Sequence, residues 1–276
     1  MTFVSNSSSA SYPTKVLRGG PDHSLMLRAV KEAGACALSR FNTKQKVWKK
    51  SKHHSVCEAD IEVNKMLHKQ LIGERPNYGW LSEESELTKE RFKHERIWIV
   101  DPIDGTNSYL KGIPEFAISV ALVENGVPLT GAVYNPARDQ MFEAVQGHGT
   151  YLNNKKVSVT LENKLSKMKI LSSRSEYNEV GWPKVFESRN VYAMSSIAYK
   201  LALVSVGNYD AAVSAWPKAD WDICAGSLLI SEAGGCITSI DGNAFTYNKE
   251  KPIHQTCLAS NRPLHPILMK KLKSWA

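Results

Sequence analysis

The chain contains no apolar run approaching the roughly 18 residues of a membrane span, which excludes an integral helical membrane protein on sequence grounds. Its opening, Met1 to Gly20, is rich in serine and lacks the cationic start and apolar centre of a secretory signal. A flexible tail and a cytoplasmic protein are therefore expected. Cysteine is scarce: Cys36, Cys57, Cys224, Cys236 and Cys257 are odd in number, widely scattered and without a C-x-x-C pair. That spacing offers neither a zinc site nor a redox couple and points to reduced, packed thiols. No fragment recurs at a fixed period, so a solenoid is excluded, and no plausible nucleophilic Ser/His or Cys/His motif is present. Nor is there a recognisable nucleic-acid module, although the net charge of +8 leaves a polyanion partner to be weighed.

What is present is ordinary globular composition, 42% hydrophobic and 22% charged, over 276 residues. That length can bury one large core or two abutting subdomains. The stretch that organises the rest is Asp101-Pro102-Ile103-Asp104-Gly105-Thr106, reached by the apolar run Ile97 to Val100, which has the composition of a buried strand. Asp101 precedes a proline and is held extended, Pro102 brings no N–H, and Gly105 can take a positive φ. Both carboxylates and the Ile103 carbonyl can then turn to one point, the hard oxygen set that Mg²⁺ prefers.

Upstream, a helix is expected from Asp22, with Asp22 as its N-cap and Leu27, Val30, Ala33, Ala37 and Phe41 on its apolar face. A second runs over Glu58 to Leu71, with Asp60 in its first turn, where an acid also has a purely dipole-compensating reading. The basic stretch Lys44 to His54, carrying Trp48, reads as a solvated loop or hairpin, or else as an anion-steering rim. Tyr78 to Leu81 is a short strand running into Ser82-Glu83-Glu84-Ser85. Downstream, Phe116 to Glu124 and Val127 to Tyr134 flank Asn125-Gly126, a strong hairpin signal, and Met141 to Val145 is a third strand. His148, between two glycines, reads as a turn residue. Lys, Asn and Ser dominate near residues 155 to 168, where a subdomain boundary is expected. Beyond it come a strand over Lys169 to Ser172, helices over Ser196 to Val206 and Trp221 to Ala233, and strands over Tyr209 to Ser214 and Cys236 to Ile240. Such alternation is the pattern of an α/β fold.

Three separated blocks then coincide: Trp80-Leu81-Ser82-Glu83-Glu84-Ser85, Trp98 to Thr106, and Trp221-Asp222-Ile223-Cys224-Ala225-Gly226 continuing to Glu232-Ala233-Gly234-Gly235. In order and separation they resemble the inositol monophosphatase superfamily of magnesium-dependent, lithium-sensitive phosphomonoesterases. The resemblance implies a layered α/β/α/β/α sandwich, with an N-terminal α+β subdomain over 21–160, a C-terminal α/β subdomain over 161–276, and two or three Mg²⁺ per site. It implies that Glu83, Asp101 and the Ile103 carbonyl bind one metal, that Asp101, Asp104 and Asp222 bind a second, and that Thr106, backed by Asp60 and near Glu83, activates the attacking water. Gly105, Thr106 and Asn107 would offer backbone N–H groups to the phosphate.

Three departures matter. Ser55-Val56-Cys57 replaces a Pro-Val-Thr run common in relatives and is expected to loosen the loop before Asp60. Ala215 stands where inositol-specific members carry a glutamate. Lys200 matches a lysine of the bisphosphate nucleotidase branch, where it could bind a second phosphate. These residues favour a substrate like 3'-phosphoadenosine 5'-phosphate, cleaved at its 3'-phosphate, with inositol-1-phosphate or another sugar phosphate as the alternative. From another class, a basic RNA-binding or regulatory protein on the same fold has the 44–54 stretch as its best support. A homodimer is compatible with the family pattern, while nucleic acid is the weaker partner.

Overall fold

The computed structural model describes residues 16–49 and 55–274. The expected tail therefore falls almost wholly outside the described residues, as does the end of the basic stretch beyond Lys49. The described residues open with α1 (Pro21–Arg40), a short hairpin of β1 (Val47–Lys49) and β2 (Ser55–Cys57), and α2 (Glu58–Glu74). A seven-stranded sheet follows in sequence order: β3 (Gly79–Ser82), β4 (Arg96–Asp104), β5 (Ala117–Glu124), β6 (Val127–Asn135), β7 (Gln140–Val145), β8 (Gly149–Leu152) and β9 (Lys155–Val157), with α3 (Thr106–Leu110) between β4 and β5. All its neighbours pair antiparallel except β3 and β4, which are parallel.

The remaining elements are β10 (Ile170–Ser172), α4 (Arg174–Glu179), α5 (Trp182–Val185), β11 (Val191–Ala193), α6 (Ile197–Ser205), β12 (Ala211–Ser214), β13 (Lys218–Ala219), α7 (Asp220–Glu232), β14 (Gly235–Thr238), β15 (Ile253–His254), β16 (Cys257–Asn261) and α8 (His265–Lys273). Five of these strands form a second sheet in the order β11-β10-β12-β16-β14.

Three apolar clusters separate five layers. On β5 the period-2 alternation sends Ile118, Val120 and Leu122 to the cluster under α1 and α2, and Ala117, Ala121 and Val123 to the one shared with α6 and α7. The other face of α6 and α7 meets Leu171, Ala212 and Ala259 of the second sheet. That sheet's far side packs Ile170, Val213 and Leu258 against Trp182 of α5 and Leu268 and Leu272 of α8. The order is thus helices, seven strands, helices, five strands, helices, as the sandwich expectation requires. Close packing of α7 on β6 depends on Gly131, where a Cβ would fall 3.1 Å from the Ala225 Cα.

Several local expectations need correction. Gly20 rather than Asp22 caps α1, because Pro21 opens the helix. Asp22 lies in the first turn, where Arg75, Tyr78 and Arg96 all donate to its carboxylate. The segment before Asp60 is not loosened: Ser55 to Cys57 pairs with Val47 to Lys49, and the Cys57 N–H donates to Asp60 Oδ2 at 2.8 Å. Trp182-Pro183 opens the short helix α5, with Pro183 in its first turn. Sequence periodicity also missed β16 and α8 at the end of the chain.

Candidate active site

Strand pairing explains how residues distant in sequence reach one point. In the parallel pair, Ser82 lies opposite Val100 and the Glu83 N–H donates to the Val100 carbonyl, so Glu83 leaves β3 where Asp101 leaves the regular part of β4. Asp101 and Asp104 are three apart, and a regular strand would send them to opposite faces. The β4–β5 register prevents this: Asp101 pairs Ser119 and Asp104 pairs Ala117, so the bulge puts three steps of β4 against two of β5. The extra residue returns Asp104 to the side of Asp101, and Pro102 costs no ladder bond there. Gly105 then turns the chain into α3 with φ 98, and a Cβ on it would lie 2.8 Å from the Glu115 carbonyl oxygen.

The third carboxylate arrives on α7. Asp222 is the third residue of that helix, and its Oδ2 accepts from the Ala219 N–H at 2.7 Å. Ser119, opposite Asp101, donates its hydroxyl to the Trp221 carbonyl at 3.1 Å and ties the helix start to the sheet. Carboxylate oxygens of Asp101, Asp104 and Asp222 come within 4.8 Å of one another. Asp104 is fixed by α6: its Oδ2 accepts from the Ser196 hydroxyl at 2.7 Å and the Ala198 N–H at 2.6 Å. Ser196 holds a left-handed backbone, φ 58, to cap that helix, the kind of local strain that persists where surrounding structure imposes it.

Electrostatics set this cluster apart. Asp101 is 1% exposed and neither of its carboxylate oxygens has a hydrogen-bond partner among the described residues. Burial first, then the charges of Glu83, Asp104 and Asp222, raise its pKa well above the ordinary range. Burial raises Asp222 to about 7, with Asp104 adding to the shift, and raises Asp104 despite its two donors and the opposing charges of Lys200 and Lys218. Buried, unpaired carboxylates facing one another are costly unless a cation neutralises them. An all-oxygen set with two free oxygens on Asp101 fits a hard divalent ion such as Mg²⁺.

Beside the cluster, the Thr106 hydroxyl lies 3.0 Å from Asp60 Oδ1 and 3.1 Å from the Ile103 carbonyl, both acceptors for its one proton. Burial lifts Asp60 to about 6. The structure therefore brings Asp60, Glu83, Asp101, Ile103, Asp104, Thr106 and Asp222 together. Asn107 is exposed on α3. Lys200 takes a different place from that of an open phosphate ligand: it is 2% exposed, its Nζ donates to the Met194 carbonyl at 3.0 Å, and burial lowers it to about 8. Two contributors were missed. Ser196 could have been found as the Ser opening a helix, and Lys218, four residues before Asp222, has only its nearness to the third block as a signal.

Comparison with known proteins agrees with this geometry. The sequence profile of the inositol monophosphatase family matches residues 23–274. The chain belongs to that family. An inositol-1-monophosphatase of Rhizobium meliloti is 36% identical over 79% of this chain and 85% of its own length, and the Nus factor SuhB of Xylella fastidiosa is 32% identical over 80% and 83%. Among solved structures, the IMPase of Thermotoga maritima aligns with a TM-score of 0.82 at 26% identity, over 91% of this chain and 96% of that one. Membership makes the protein a phosphatase acting on phosphoric monoesters, in a family that is generally Mg²⁺-dependent. No helix among the described residues is long and apolar enough to cross a membrane.

Proposed function

We propose that the protein is a Mg²⁺-dependent phosphomonoesterase whose preferred substrate carries a second phosphate, in the manner of 3'-phosphoadenosine 5'-phosphate. The observation that carries this choice is the charge beside the carboxylates. Lys200 and Lys218 both act on Asp104 and Asp222, while Ala215, three residues before Lys218, brings no carboxylate to receive an inositol hydroxyl. Lys200 donates to the Met194 carbonyl and the half-buried Lys218 to the Trp216 and Pro217 carbonyls, so both contribute through their field. A second reading, inositol-1-phosphate, is favoured by the names of relatives such as the Rhizobium meliloti protein.

In either case Glu83, Asp101, the Ile103 carbonyl, Asp104 and Asp222 would hold the metal ions. When bound, Mg²⁺ supplies charge to neutralise the phosphoryl oxygens and lowers the pKa of water. The chain's own groups do the rest. Thr106 accepts a hydrogen bond from the attacking water once its own proton is given to Asp60, and Asp60, anchored by the Cys57 N–H, takes up proton density at Oδ1. Asp104 is kept from rotating by Ser196 and Ala198, so the cluster does not reorganise as charge develops. Steady-state phosphate release on purified protein tests the choice. A kcat/KM for 3'-phosphoadenosine 5'-phosphate at least tenfold above that for inositol-1-phosphate is expected; the reverse order would establish the second reading.

A further inference from the structure

Between β14 and β16 the chain crosses residues 239–256 with only the two-residue β15 as regular structure. Loops this long inside a compact domain are uncommon and usually functional. Clefts of about 280 and 310 Å³ flank residues 244–248, and the segment is anchored between them by Tyr247, buried in the apolar cluster shared with α6 and α7, with Phe245 packed against it. Polar stitches fix its two ends. At one end, β15 pairs β13, with Lys218 opposite His254, and His254 Nε2 lies 2.8 Å from Asp220 Oδ1. The other carboxylate oxygen of Asp220 accepts from the Asn248 N–H at 2.6 Å. Asp220 is fully buried and lies two residues before Asp222.

The other end reaches the opposite half of the site. Arg91, 4% exposed, sits in the 3₁₀ turn Lys89–Lys93 that follows the Glu83 segment. Its Nε donates to Asn248 Oδ1 at 3.0 Å, its Nη2 to the Lys249 and Glu250 carbonyls, and its Nη1 back to the Thr88 carbonyl. One guanidinium thus binds the strap to the turn after Glu83, and one carboxylate binds the strap to the helix that carries Asp222.

We infer that this strap, clasped by Arg91 and by the Asp220–His254 pair, sets the separation of Glu83 from Asp222, making Arg91, Asp220 and His254 positioning residues for divalent-cation binding. The inference rests on the reading of the carboxylates as a metal site. A metal cluster assembled from segments 139 positions apart needs its span fixed by something other than local chain geometry, and sub-ångström looseness in a supporting shell weakens a site without unfolding it.

Isothermal titration of the full chain with Mg²⁺ alone tests it, using His254→Phe, which keeps an aromatic ring but removes the donor, His254→Gln, which returns a donor, and Asn248→Gly. The last suits the positive φ of 58 that Asn248 holds and removes the side-chain bond from Arg91 Nε, leaving the Arg91 bonds to the Lys249 and Glu250 carbonyls in place. The dissociation constant is expected to rise about five- to tenfold in His254→Phe and Asn248→Gly, and to recover at least half of that change in His254→Gln. The substrate KM at saturating Mg²⁺ should stay within about twofold. Wild-type protein that binds no Mg²⁺ would remove the metal reading beneath the proposal. Wild-type binding matched by unchanged affinity in Asn248→Gly and His254→Phe, whatever their thermal midpoints, would overturn the strap's role and leave the metal site standing.

Discussion

Asp101 has two buried carboxylate oxygens and no partner for either among the described residues, which is a poor arrangement for stability and a good one for a cation. The cost can be read through pH. Asp60 and Asp222 carry folded-state pKa values of about 6 and about 7 against an ordinary 3.8, and Asp101 is raised as well. Between those limits the folded metal-free chain retains protons that the unfolded chain has released, so its stability falls as pH rises through the window. For Asp60 alone the shift amounts to roughly 3 kcal/mol. Thermal midpoints of EDTA-treated protein are therefore expected to drop between about pH 4.5 and 7, and the gain on adding Mg²⁺ to grow over the same range. A midpoint that rises or stays level from acid to neutral would contradict the electrostatic account of the site.

At the level of elements, the site depends on how strands end. The β4 bulge, the parallel β3–β4 step and the first turn of α7 place Asp101, Asp104, Glu83 and Asp222, and Gly105 makes the exit from β4 possible. Replacing Gly105 with Ala would force a side chain into φ 98 and against the Glu115 carbonyl. A cost of at least ~2 kcal/mol is expected, lowering the thermal midpoint by roughly 4–8 °C with loss of turnover as Asp104 and Thr106 shift. Differential scanning fluorimetry with a phosphate assay checks both, and an unchanged midpoint would mean the turn is not strained. Much of this was legible beforehand. Hydrophobic runs and Asn125-Gly126 marked β4 to β7, because a two-residue turn and period-2 burial are local signals. The bulge register, the cap on Asp104 and the Arg91 stitches were not, since each depends on a partner fixed only by tertiary packing. Lys200 illustrates the limit: the motif named the residue, while its burial against Met194 follows from how α6 lies between two sheets.

For the whole molecule, five layers bring together carboxylates from three blocks of sequence, and it was the order of those blocks, more than composition or net charge, that pointed to the family. A net charge of +8 says little about a site lined by buried carboxylates; it describes the surface that an anionic substrate meets on approach. The central claim is that the buried carboxylates serve phosphate-ester cleavage by holding a divalent cation. Its most direct test is the rate of inorganic phosphate release from 3'-phosphoadenosine 5'-phosphate and inositol-1-phosphate, followed as Mg²⁺ is removed with EDTA and restored, in wild type and Asp101→Asn. Turnover that vanishes with EDTA, returns with Mg²⁺ and falls by about a hundredfold or more in Asp101→Asn is expected. Release indifferent to EDTA, or undiminished in Asp101→Asn, would contradict the account.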